Sequence, residues 1–119
     1  MSSIAGVKDE IRVDGETKIG GFRFQKYLQD RVVHIHNPED QKGEYPIKDF
    51  LKESDRFLVR LKDLREGETI KLKDLSVTLL FSGILTTKKV ELELFGCKDT
   101  IDLGIFHRQM KEFFRLLEK

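Results

Sequence analysis

The sequence predicts an α+β fold built from two copies of one unit, four antiparallel strands followed by a helix. Three observations carry that expectation. Apolar and polar residues alternate along several short segments bounded by glycine, proline and aspartate, which is the pattern of half-buried strands. The segment Arg31-Val-Val-His-Ile-His36 has an echo in Lys88-Lys-Val-Glu-Leu-Glu93. Two further segments, Phe50 to Leu64 and Phe106 to Leu117, carry apolar residues at helical spacing.

Taken in order, residues 1–7 are small and weakly apolar and read as a tail; residues 8–119 read as one domain, with one repeat over about 8–64 and the other over about 65–119. Glu10 to Val13 reads as a short strand ended by the turn pair Asp14-Gly15. From Lys18 the pattern is again strand-like, with Phe22 and Phe24 on a buried face and Arg23, Gln25 and Tyr27 between and beyond them. Gly20-Gly21 reads as a strand irregularity or bulge rather than a nucleotide-binding loop.

In the organising strand Val33 and Ile35 point one way and His34 and His36 the other. Asn37 to Gly43 is a loop, and Glu44 to Ile47 an edge strand, because Pro46 has no N–H for a ladder. Phe50, Leu51, Phe57, Leu58, Leu61 and Leu64 then form one helical stripe, with Asp49 as its cap and Gly67 as its stop. The second half repeats the plan. Ile70 and Leu72, then Val77, Leu79 and Phe81, then Val90, Leu92 and Leu94 alternate with polar residues, and Ser82-Gly83 reads as a bulge or turn. Gly96 to Asp99 turns into Thr100 to Leu103, and the helix from Phe106 follows. Gly67-Glu-Thr69 echoes Gly15-Glu-Thr17, Val33 matches Val90, and Ile35 matches Leu92.

This order resembles the superfamily of single-strand binders that includes the positive-cofactor-four coactivators, plant Whirly proteins, Pur-alpha repeats and mitochondrial guide-RNA matchmakers. The residues that carry it are Arg31 to His36, Tyr45-Pro-Ile47 entering the helix Phe50 to Leu64, and their counterparts Lys89 to Leu94, Thr100 to Leu103 and Phe106 to Leu117. The resemblance implies antiparallel sheets each covered by a helix, and a non-enzymatic protein that holds single-stranded DNA or RNA on an open sheet face. The alternative is a small protein-interaction or scaffold module resembling a pleckstrin-homology fold. Residues 49–64 discriminate: a helix there favours the repeat, two strands the pleckstrin-like fold.

The residues expected to meet a strand are Arg23, Gln25, Tyr27, Arg31, His34, His36, Lys71, Lys73, Lys88 and Lys89. Cations would follow phosphates, and the rings of Tyr27 and the histidines would stack on bases. Replacing Lys71 and Lys73 together by Glu is expected to weaken binding. The balance of 22 basic against 21 acidic residues, net +1, speaks against a dedicated duplex binder. His34 and His36 share a strand face, as a metal site requires, but Glu39, Cys97 and His107 are further ligands by type only. No metal, no cofactor and no enzymatic activity are expected. Cys97 has no partner thiol, the start has no secretory pattern and no apolar run spans a bilayer, so the expectation is an intracellular protein without membrane association. The strongly apolar last helix adds homo-oligomerisation to the expectations.

Overall fold

The computed structural model describes residues 13–81 and 87–119. Residues 10–12 of the expected first strand (Glu10 to Val13), the tail and the Ser82-Gly83 turn lie outside them. Sheet one comprises β1 (Gly15–Ile19), β2 (Phe22–Tyr27), β3 (Val32–His36) and β4 (Lys42–Pro46). Two helices follow, α1 (Ile47–Lys52) and α2 (Ser54–Lys62). Sheet two comprises β5 (Thr69–Leu72), β6 (Leu75–Leu79), β7 (Lys89–Leu94) and β8 (Cys97–Asp102), and α3 (Leu103–Glu118) ends the chain. Both sheets are antiparallel and four-stranded, each strand lying beside its neighbour in sequence. The fold is therefore α+β with two similar sheet units.

Several local expectations change. Gly20-Gly21 is not a bulge. It closes a two-residue hairpin, with Ile19 opposite Phe22 and Gly20 at φ +59, a backbone region that costs glycine little. Gly15 accordingly opens β1 opposite Lys26 instead of closing a turn. The turn before β8 is Phe95-Gly96, both at positive φ, and Cys97 is already in the strand opposite Leu94.

Residues 47–62 are helical, which favours the repeat architecture over the pleckstrin-like one. The single helix expected over 50–64 is two. It starts earlier because Pro46, at φ −59, precedes the first turn, where a missing N–H costs nothing, so Asp49 lies inside the helix and caps nothing. It breaks at Glu53, where the Ser54 hydroxyl donates to the Leu51 carbonyl at 2.8 Å and the Glu53 amide closes a tight bond on Phe50 at 3.2 Å. It ends at Lys62, well before Gly67.

The core is one cluster. Ile19, Phe22, Phe24, Val33 and Ile35 from sheet one meet Leu72, Leu75, Val77, Val90 and Leu92 from sheet two, with the helices between and beside them. α3 touches β1 and β2 as well as β7 and β8. Its residues Phe106, Met110, Phe113, Phe114 and Leu117 are all buried inside the chain. Its first turn is capped by Asp102, whose Oδ1 accepts the Ile105 N–H at 3.0 Å. At the other end Lys26, reaching out of the core face of β2, donates its Nζ to the Leu116 carbonyl at 2.5 Å, placing a cation where the helix dipole is negative.

Among the described residues three hydrogen bonds join the two sheet units. Asn37 Nδ2 donates to the Leu94 carbonyl at 2.9 Å, the Gly21 N–H to Asp99 Oδ2 at 2.6 Å, and the Tyr45 hydroxyl to Asp74 Oδ2 at 2.7 Å. The Tyr45 ring lies flat along its own strand to reach Asp74. A Cβ on Gly43 would collide with the Tyr45 ring and hydroxyl, so any other residue there would displace the ring from Asp74. Burial and the Asp74 bond push the Tyr45 phenol above its ordinary pKa.

Candidate nucleic-acid interface

The outer face of sheet one is ordered in rows by the strand register. One row, crossing all four strands, is Lys18, Arg23, His36 and Lys42. The next is Glu16, Gln25, His34 and Glu44, and the third includes Tyr27, Val32 and Pro46. Neighbouring strands lie about 4.8 Å apart, so the first row spans roughly 14 Å and presents a cation or an imidazole on every strand.

The sequence placed Arg23, Gln25, Tyr27, His34 and His36 together, and the register brings them to one face. It missed Lys18 and Lys42. The signal was present in Gly20-Gly21: a two-residue hairpin there sets Lys18 opposite Arg23, whereas a bulge does not.

The second and third rows are not the stacking platform that was expected. Gln25, Tyr27 and His34 are only 6%, 8% and 5% exposed. Their polar atoms serve one another: Tyr27 donates its hydroxyl to Gln25 Oε1 at 2.8 Å, and Gln25 Nε2 donates to Glu16 at 2.7 Å. The Tyr27 and His34 rings pack with centroids 4.2 Å apart, and His34 Nε2 lies 3.6 Å from Glu44. In the first row the Asp40 carboxylate, from the β3–β4 loop, bonds both Arg23 and His36, the latter at 3.0 Å from Nδ1. Lys42 pairs with Glu44 at 3.2 Å, and Lys18 is exposed.

The remaining expected residues are elsewhere. Lys73 is a correction: it sits at φ +58 in the β5–β6 turn and pairs with Glu53 at 2.7 Å on the helical layer, so it does not share the outer face with Lys71. Lys88 lies in the connection between β6 and β7, as expected, while Lys89 is already in a strand. Lys89 opens β7 opposite Asp102, and the Lys88 carbonyl accepts the Leu103 N–H at 2.9 Å. Arg31 is exposed at φ +56 in the β2–β3 turn, at the far end of the strands from the basic row. Lys71 lies on the outer face of sheet two, in a row continuing through Ser76, Glu93 and Lys98.

The His34 and His36 rings are 6.1 Å apart and face different carboxylates, Glu44 and Asp40. Among the described residues no three His, Cys, Asp or Glu side chains converge as a metal site requires. Cys97 is in β8 and His107 in α3.

Burial, then Lys42 and His36, hold His34 below the ordinary histidine pKa, while Glu44 and Asp30 oppose them. The unfolded chain takes up this proton near the ordinary value of 6.5 and the folded chain resists it. The resulting stability is therefore full above that pH and is lost as pH falls below it. His107, lowered by burial, Lys62 and Lys111, adds a change of the same sign. Urea midpoints at pH 7.5 and 5.5 are expected to fall on acidification, and to fall less in His34→Gln. An identical drop in the variant would remove His34 as a source.

Among the described residues no helix is long and apolar enough to cross a membrane. Comparison with models of protein families, with curated proteins and with solved structures finds no match to this chain.

Proposed function

We propose that the protein is a non-enzymatic binder of single-stranded nucleic acid that holds the strand across the outer face of sheet one. The observation that carries this reading is the row Lys18, Arg23, His36 and Lys42, one residue from each strand. A row perpendicular to the strands gives a flexible phosphate backbone a straight track, and it tolerates any base sequence because it contacts no base edge. The element order, four strands and a helical segment followed by four strands and a helix, supports the likeness to the single-strand binders of the coactivator, Whirly and Pur-alpha superfamily. The near-neutral total charge suits a strand-sized track better than a duplex-sized one, since few phosphates are neutralised. Base stacking contributes little here, because Tyr27 and His34 are buried.

The test is fluorescence anisotropy of labelled single-stranded DNA, single-stranded RNA and duplex DNA over a salt series. A single strand should bind more tightly than duplex, with log affinity falling against log salt by about 0.7 for each phosphate held. Equal weak attraction to all three, vanishing near physiological salt, would overturn the proposal and move the function to a protein partner.

A further inference from the structure

Three cationic residues line one cleft beside the edge of sheet two. A cleft of about 200 Å³ runs between α2 and β5 and is lined by Glu53, Arg56, Phe57, Arg60, Ile70 and Lys71. Arg56 and Arg60 are one helical turn apart and stand on the same side of α2, a spacing at which like charges repel. Lys71, on the edge strand β5, completes the lining of the cleft. The one carboxylate in the cleft, Glu53, is already held by Lys73 at 2.7 Å. Glu68 and Asp63 line the adjoining recess with Arg60, but the Glu68 carboxylate accepts the Arg65 N–H at 2.7 Å. Among the described residues no ion pair or hydrogen bond engages the side chains of Arg56, Arg60 or Lys71.

The backbone adds a donor. β5 is the edge strand of sheet two, and its two-residue turn makes Leu72 and Leu75 the hydrogen-bonded pair. Alternation along the ladder then directs the Lys71 N–H off the sheet edge, on the side where α2 packs.

We propose that this cleft is a binding site for a phosphate group. Two guanidinium forks, an ammonium and an edge amide offer more donors than one carboxylate can accept, whereas a phosphate presents oxygens in several directions and pairs well with Arg forks. A bound dianion or phosphodiester also removes the repulsion between Arg56 and Arg60. The inference stands without the sheet-face reading, because the residues and the surface are different. The phosphate belongs either to a nucleic-acid strand or to a free phosphate ester, and two measurements separate these.

In the first, inorganic phosphate is titrated at constant ionic strength while NMR follows the Lys71 amide and the Arg56 and Arg60 Nε–H signals. Saturable shifts are expected in the wild type, with loss of the Lys71 shift in Arg56→Ala/Arg60→Ala; chloride alone should produce none. In the second, the salt slope of oligothymidylate binding is compared between the same two proteins. A slope reduced by about 0.7 assigns the phosphate to a strand. An unchanged slope beside intact phosphate shifts assigns the cleft to a free ester. Absence of saturable shifts in the folded wild type overturns the site. Both substitutions are exposed on a helix and introduce its best former, so the variant should fold.

Discussion

Replacing Phe113 by Ala is expected to lower the unfolding free energy by about 3–5 kcal/mol, the usual cost of truncating a buried aromatic ring. Phe113 is fully buried on α3, with its ring centroid 5.6 Å from Phe24 on β2 and 6.2 Å from Phe50 on α1, both nearly edge-on. It therefore joins a strand of sheet one, the first helix and the last helix at one point. Few neighbours can collapse into the space, because Phe24 is fixed in a sheet and Phe50 is shared with Phe114 at 5.8 Å. For a domain of ordinary stability such a loss removes a large fraction of the total. Urea unfolding followed by circular dichroism reads it directly. A loss below about 1 kcal/mol would mean that α3 is not held to sheet one through this ring.

Reversing two charges of the basic row should have the largest effect on binding. Lys18→Glu/Lys42→Glu is expected to weaken a single strand roughly ten- to hundred-fold, since each exposed pair lost is worth about 0.5 kcal/mol and each new carboxylate adds repulsion of similar size. The salt slope should fall by about 1.4, two contacts at about 0.7 each. Both side chains are exposed, so the fold should be unaffected. Asp40→Asn supplies a change of opposite sign. Its carboxylate now occupies Arg23 and His36, and removing that charge leaves both free for phosphate. If the double variant binds like the wild type, the row is not the track, whatever else binds.

What could be read from the sequence was set by periodicity. Phe22, Phe24, Val33, Ile35, Val77, Leu79, Val90 and Leu92 alternate cleanly, and all of them are buried. The apolar stripe of the last helix was equally plain. The failures are at turns, where one residue changes the register. Reading Gly20-Gly21 as a bulge hid Lys18 from Arg23. Reading Lys73 as a strand residue placed it beside Lys71, although its positive φ turns it toward Glu53. Alternation also says which face a side chain takes but not how crowded that face is, so Tyr27 and His34 were taken for open rings. The phosphate cleft was out of reach altogether, because Arg56 and Lys71 meet only through the packing of α2 beside the edge of β5.

The strand order has a consequence for how the chain reaches this state. Every strand pairs only with the segment next to it, so each sheet can assemble as successive hairpins, with short loops to close within sheet one. The contacts that demand distant segments are the docking of α3 on β1 and the Asn37–Leu94 and Gly21–Asp99 bonds between the sheets. Hairpins that form in microseconds are thus expected to precede a slower docking step in which the final helix closes the core. Hydrogen exchange should accordingly resolve two levels of protection, with amides that need only their own hairpin reporting earlier in refolding than those of α3.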